Sequence, residues 1–165
     1  MPAPTSGGFD VQTLFAYHWH TTLRLIDCAA KLDEAAYTEH PGYGHGSIHD
    51  LLFHVLRTDW SWRRALETGQ QPAPLSQEEF PDLPALLAGF ELEQAAWQAL
   101  LGGLSAEDIA ADAHMTTAWG ESAILPRWRI FQHLVLHGMQ HHTEVAQLLT
   151  AKDQSPGDID FVFYD

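Results

Sequence analysis

Apolar residues recur at helical spacing in four long segments of the chain, with polar residues between them. In the first segment the repeat includes Val11, Leu14, Phe15, Leu25 and Ile26, which share one face of a helix. The other three segments show the same period, whereas the alternation typical of strands is scarce. The pattern predicts four helices, over residues 11–29, 48–68, 84–102 and 126–151.

Several of these helix ends are marked by residues with known capping preferences. Ser47 and Asp50 have the spacing of a capping box at the start of the second predicted helix, and Gly69 suits a left-handed end. Pro84 fits the first turn of the third predicted helix. A second cap-like segment at Ser105 predicts only a short helical turn.

Residues 113–125 show no clear period, and we assign them as loop or weakly extended structure. Four amphipathic helices with irregular connections are typical of an all-α protein, here a four-helix bundle. The segment 1–9 contains Pro, Gly and Ser and predicts a flexible N terminus before a single domain over residues 10–165.

Charge and composition narrow the classes of partner. The 165 residues include 8 Lys or Arg and 22 Asp or Glu, a formal net charge of -14, which argues against nucleic acid as a partner. No apolar run approaches the roughly 20 residues of a membrane span. The first residues lack the features of a secretory signal, and the single cysteine, Cys28, excludes an internal disulfide. We expect a soluble, cytoplasmic protein.

Histidines occupy positions of the fourth predicted helix where leucines are usual. His137 and His141 lie at the centre of its apolar arc, and their spacing lets both rings reach one ion. Hydrogen bonds among the histidines or to neighbouring helices would satisfy the same positions without a metal. The second predicted helix offers a third ligand, His49 or His54, on opposite flanks of its apolar face. Periodicity does not choose between them.

Four stretches of the chain resemble the DinB family of bacterial metalloproteins, also called the DinB/YfiT-like superfamily: YHWH, SIHDLLFHVLRTDWSW, HLVLHGMQHH and PGDIDFVFY. Together they span nearly the whole chain. The resemblance implies a DinB/YfiT-like four-helix bundle in which His54, His137 and His141 bind one divalent metal ion. Three neutral nitrogens leave at least one coordination position open, as in catalytic sites.

The chain departs from the family after the second histidine of the motif. Family members often continue with His-Arg-Gly-Gln, whereas here His141 is followed by His142, Thr143 and Glu144. Helical spacing brings Glu144 to the inward side, where it would orient a ligand, act as a base on metal-bound water or occupy the open position. We take Glu144 as the candidate catalytic group.

The other histidines have ordinary structural interpretations. The family's Asn-Trp-x-Asn becomes His18-Trp19-His20, and we interpret His18 as a hydrogen-bonded core residue. His133 is expected near the mouth of the site or at a helix contact, and His142 on an interhelical or solvent face. We attach no function to the histidines in the connections, His40, His45 and His114.

The resemblance implies an enzyme with a divalent metal ion, zinc or nickel first, with iron or copper as alternatives. The leading interpretation is a thiol S-transferase, in which a low-molecular-weight thiol attacks an electrophilic small-molecule substrate. The alternatives are a metal-dependent hydrolase with Glu144 as general base and a non-catalytic, metal-binding, stress-related dimer. We also expect a homodimer, from the resemblance and from the 6 tryptophans in so small a chain.

Overall fold

A computed structural model describes residues 10–164, so the flexible N terminus expected over residues 1–9 lies outside the described residues. The elements in this range are α1 Val11–Ala29, α2 Glu34–Thr38, α3 Ile48–Thr68, α4 Leu83–Gly102, α5 Ala106–Ala110, β1 Asp112–Thr116, β2 Ser122–Pro126 and α6 Arg127–Thr150. Single 3-10 turns occur at Gln77–Glu79 and Phe161–Phe163. Among these residues, none of the helices is long and apolar enough to cross a membrane.

Four helices, α1, α3, α4 and α6, form a bundle, as the apolar pattern predicts. Helices α1 and α3 each pack against both α4 and α6. Their apolar faces fill the core with side chains that are 2% exposed or less, among them Phe15, Leu52, Phe90, Trp97 and Phe131. The predicted four-helix bundle is confirmed.

The helix ends follow the capping signals in the sequence. The Ser47 hydroxyl accepts a hydrogen bond from Asp50 N at 3.1 Å, and the Asp50 carboxylate accepts one from Ser47 N at 2.9 Å. Gly69 ends α3 in the left-handed region, with φ 70 and ψ 11. Ser105 and Asp108 form a second capping box at α5, the short turn predicted there.

The sequence predicts loop or weakly extended structure over residues 113–125, and the extended parts of this segment pair as an antiparallel hairpin, which the sequence does not predict. Strands β1 and β2 pair in register from Asp112 with Pro126 to Thr116 with Ser122. Thr116 N also donates to Gly69 O at 2.8 Å, which ties β1 to the end of α3. The reason for the difference is that strand pairing and packing against α3, neither of which is a local property, stabilise these short segments.

Helix α4 contributes packing to the bundle. Its inward side chains, Leu86, Phe90, Trp97 and Leu101, belong to the core. Its buried Glu93 accepts hydrogen bonds from Arg63 of α3 at 2.6 and 2.8 Å. This ion pair and the apolar contacts hold α4 against α3.

Candidate metal centre

Three imidazoles meet between α3 and α6. His54 lies on α3, while His137 and His141 lie one turn apart on α6. His54 Nε2 is 3.0 Å from His137 Nε2, which is 3.2 Å from His141 Nε2. The pair on α6 shares a face because residues four apart on a helix are neighbours. The three rings therefore turn the same nitrogen towards one point, and we call them the histidine cluster.

Two members of the cluster are held neutral by their surroundings. Partial burial, assisted by the charges of His141 and Arg57, lowers the pKa of His54 from its ordinary 6.5 to about 4. Burial, assisted by His141 and His54, likewise lowers the pKa of His137 to about 4. A neutral imidazole keeps a free lone pair at pH 7, which is the form that binds a metal.

Two of the three distances within the cluster match those expected around a shared ion, and the ligand atoms of all three residues lie within 4.8 Å of one another. A metal ion about 2.0–2.1 Å from each nitrogen separates the nitrogens by about 2.9 Å at right angles and by about 3.4 Å at tetrahedral angles. The observed 3.0 and 3.2 Å lie in this range. An all-imidazole donor set suits zinc, nickel, iron or copper rather than magnesium or calcium. Because His54 and His137 are only half-buried, the cluster can be reached from the surface.

Glu144 lies behind His141, on the side away from the cluster. Its carboxylate accepts a hydrogen bond from His141 Nδ1 at 3.0 Å, and both of its oxygens are 3.1 Å from His45 Nδ1. Its partial burial opposes ionisation, but these contacts hold the pKa of Glu144 below its ordinary value. A carboxylate on Nδ1 fixes the ring so that His141 Nε2 points at the other two histidines.

Two contacts connect the cluster with the protein surface. Arg57 Nη2 lies 3.1 Å from His54 Nδ1. The ring of the exposed His133 lies 5.6 Å from that of His137 and 5.8 Å from that of Trp62, measured between centroids. His133 thus lies at a helix contact beside the site, which agrees with the position predicted for it.

Comparison with known proteins decides the family. The sequence pattern that defines the DinB family matches residues 1–165, the whole of the chain. The chain belongs to the DinB family.

Among solved structures, this DinB protein is similar to YfiT from Bacillus subtilis, described as a probable metal-dependent hydrolase with an unusual four-helix bundle topology. The two chains are 13% identical, the match covers 93% of each, and the TM-score is 0.65. At this identity the likeness shows a shared fold. No curated protein matches the chain significantly.

The structure of this DinB protein separates the two histidines that periodicity left open on α3. His54 joins the histidine cluster. His49 is buried on the other flank of the helix, where its Nδ1 lies 3.0 Å from the Tyr37 hydroxyl. His49 therefore belongs to the contact between α2 and α3.

A second group of polar side chains lies in the core of the DinB bundle. His18 Nε2 and Asp59 Oδ2 are 2.9 Å apart, and both side chains are 1% exposed. His142 is buried against α1, with its Nε2 2.8 Å from the Thr22 hydroxyl. His18 is the hydrogen-bonded core residue that the sequence predicts, and His142 lies on an interhelical face.

His45 is the residue that sequence reasoning missed. It lies in the loop before α3 and contacts Glu144, which is 99 positions later in the chain. His45, His141 and Glu144 offer ligand atoms that all lie within 4.8 Å of one another. The only local signal is the position of His45 two residues before the Ser47 cap, and nothing near it in sequence indicates a partner on α6.

Proposed function

We propose that this DinB protein is a metal-dependent hydrolase whose ion is held by His54, His137 and His141. The observation that carries the proposal is the convergence of three Nε2 atoms, two of them on neutral, half-buried imidazoles. The description of YfiT supports the same class of reaction. A divalent ion held by these three neutral nitrogens would supply Lewis acidity and would let bound water act as a nucleophile at neutral pH.

In this proposal Glu144 orients His141 and is not the general base. Both carboxylate oxygens are engaged, by His141 on one side and by His45 on the other. A base acting on the substrate side would have to lie near Nε2 of His141, whereas Glu144 is bonded to Nδ1. The contacts therefore favour orientation among the roles that helical spacing leaves open.

A thiol S-transferase is the second candidate function. The feature that favours it is the donor set, because a divalent ion held by three neutral imidazoles would keep its full charge and would stabilise a thiolate. This reaction requires a low-molecular-weight thiol as co-substrate. Hydrolysis requires only water, and this difference separates the two candidates experimentally.

The metal site is tested by measuring metal content in untagged protein. We expect about one divalent ion per chain in the wild type and a loss of most of it in His54→Ala, His137→Ala and His141→Ala, since each removes one of three ligands. His49→Ala is the matched control on α3 and should retain the ion. Unchanged metal content in all three cluster variants, with folding verified by circular dichroism, would end the proposal.

The reaction is tested with a panel of chromogenic esters and amides, with and without an added thiol. Metal-dependent product release without thiol supports the hydrolase. Product that forms only when thiol is present supports the S-transferase. Protein that binds the ion but turns over neither set is a non-catalytic metal protein.

A further inference from the structure

A groove runs along α3 beside the β-hairpin and combines apolar walls with one positively charged side chain, that of Arg57. It consists of two adjoining cavities, about 320 and 270 Å³ in volume, which share Ser61, Trp62 and Gln71. Arg57 lines the first cavity. The second is bounded by apolar side chains of the hairpin segment, Met115, Trp119 and Leu125. We call the two cavities together the hairpin groove.

The hairpin groove adjoins the histidine cluster at two points. Arg57 lines the groove and contacts His54 at 3.1 Å. Trp62 lines both cavities and contacts His133, which in turn contacts His137. A molecule that fills the groove therefore has one end beside the cluster.

Arg57 carries a charge that the described residues leave without a counter-ion. None of the ion pairs formed within residues 10–164 includes Arg57. Apart from its contact with His54, its guanidinium packs over the ring of Phe53 at 5.7 Å. A guanidinium with unused donors is a strong ligand for a carboxylate, which it binds through two parallel hydrogen bonds.

The present contact between Arg57 and His54 cannot coexist with the use of His54 Nε2 as a metal ligand. Arginine has only donors, so His54 Nδ1 must accept, and the hydrogen of the neutral ring then lies on Nε2. When Nε2 serves as a ligand, that hydrogen must lie on Nδ1 instead. With a metal on Nε2, Arg57 would face a donor, and its guanidinium would be free to bind a ligand in the groove that it lines.

We propose that the hairpin groove is the substrate site and that it selects a small amphiphilic carboxylate, with the apolar body between Trp62 and Trp119 and the carboxylate on Arg57. This inference rests on the proposed function, because it makes the histidine cluster the place where the bound molecule reacts. Since Arg57 adjoins His54, the carboxylate lies close to the reacting bond. Esters or amides of hydroxy or amino acids with an apolar acyl group have this arrangement.

The acidity of the chain does not oppose this choice. The net charge of -14 repels anions at long range. Such repulsion is screened beyond about 8 Å at physiological salt, whereas a guanidinium acts on a carboxylate at contact distance.

The test compares the binding affinities of a carboxylate and of its neutral isostere, and it does not depend on catalytic activity. Binding of 1-naphthylacetate and 1-naphthylacetamide is measured by calorimetry on zinc-loaded and metal-free protein. We expect the zinc-loaded wild type to prefer the carboxylate by about tenfold or more, as a charge-assisted hydrogen bond provides. The preference should be smaller in metal-free protein, where Arg57 is held by His54.

Substitutions at Arg57 and Trp119 test which end of the groove binds the carboxylate and which binds the apolar body. Arg57→Gln should abolish the preference and leave the affinity for the amide unchanged, and Arg57→Lys should restore part of it. Trp119→Ala should weaken both probes by a similar factor, roughly fivefold to tenfold, because it removes apolar contact area. Lys31→Gln removes the same charge from an exposed position outside the groove and should leave the preference intact.

A carboxylate preference that survives Arg57→Gln would overturn the proposal, since the carboxylate would then bind elsewhere, for example directly to the ion. Equal affinity for both probes in the zinc-loaded wild type would overturn it as well. Zinc titration in the same calorimeter reports on the proposed function separately. If zinc fails to bind while an Arg57-dependent preference persists, the proposed metal site is wrong, and the assignment of the groove as a carboxylate-binding site is retained.

Discussion

The Glu144 carboxylate lies within hydrogen-bond distance of two imidazoles, and these contacts determine how its negative charge affects the site. The carboxylate accepts from His141 Nδ1 at 3.0 Å and also contacts His45 Nδ1 at 3.1 Å. A carboxylate on the outer nitrogen of a ligand histidine raises the basicity of the inner nitrogen and fixes the ring. We therefore expect Glu144 to affect the reaction by raising the affinity of the site for its metal ion.

The substitution Glu144→Gln tests this role. The amide oxygen still accepts a hydrogen bond from His141, but the negative charge is lost, so we expect the zinc Kd to rise by roughly tenfold to a hundredfold. At saturating zinc, the hydrolysis rate should change by less than about tenfold. His45→Gln, which leaves the carboxylate in place, should have a smaller effect on Kd. A loss of a hundredfold or more at saturating zinc would instead identify Glu144 as a general base.

The buried His49 should make the protein less stable in acid. Burial lowers the pKa of His49 below its ordinary 6.5, so between these two pKa values the unfolded chain binds more protons than the folded one. The free energy of unfolding should therefore fall as the pH drops below about 6.5. In urea titrations at pH 7.5 and 5.5, His49→Gln should lose less stability than the wild type. Identical losses would show that His49 does not contribute.

At the residue scale, the histidine cluster could be predicted and the surrounding contacts could not. His137 and His141 share a helix face, which spacing alone reveals. His54 and His49 have equivalent positions in the periodic pattern, so the choice came from the resemblance to the family. The role of His45 cannot be predicted because its partner, Glu144, lies 99 positions later on α6, and no local sequence pattern indicates that the two residues meet.

At the scale of elements, helices α1 and α6 approach closely at Gly138. A Cβ atom built on Gly138 would lie 2.3 Å from the ring of His18. The same His18 ring forms the buried contact with Asp59 of α3. The absence of a side chain at position 138 therefore lets one imidazole fill the space between three helices.

We expect Gly138→Ala to destabilise the protein. Overpacking costs about 1–3 kcal/mol, partly offset by the roughly 1 kcal/mol that alanine gains over glycine in a helix. Combined with His18→Ala, the same substitution should be neutral or favourable, so a double-mutant cycle by chemical denaturation should give a clear coupling energy. Gly102→Ala, with nothing within 4 Å of its Cβ position, is the control. Additive effects at 18 and 138 would contradict the close approach.

The elements differ in how visible they are in the sequence. The bundle helices carry their own period and caps, as Ser47 and Gly69 show for α3. The hairpin has only Ala113 and Met115 as a buried alternation in β1, which is too short to stand out against a loop. Its stability comes from pairing with β2 and from the link to Gly69, both of which require the tertiary fold.

At the scale of the whole molecule, the homodimer stays a prediction. The large apolar side chains exposed in the described part of the chain would be available to such an interface: Tyr43, Leu92, Trp119, Ile124, Trp128, Leu136, Phe161, Val162 and Phe163. We expect sedimentation velocity at micromolar concentration to give the mass of two chains. A single-chain mass under the same conditions, with and without zinc, would contradict the prediction.

Helix α4 contributes core side chains and the Glu93 ion pair, while the side chains of the histidine cluster, its hydrogen-bond partners and Arg57 come from α3, α6 and the loop before α3. For protein engineering, this division means that the packing of one bundle helix can be varied separately from the proposed site. A library confined to residues 83–102 would change stability with the residues of the proposed site held constant. A library in α3 and α6 would have to leave core side chains such as Leu52 and Phe131 unchanged, so that only the surroundings of the proposed site vary.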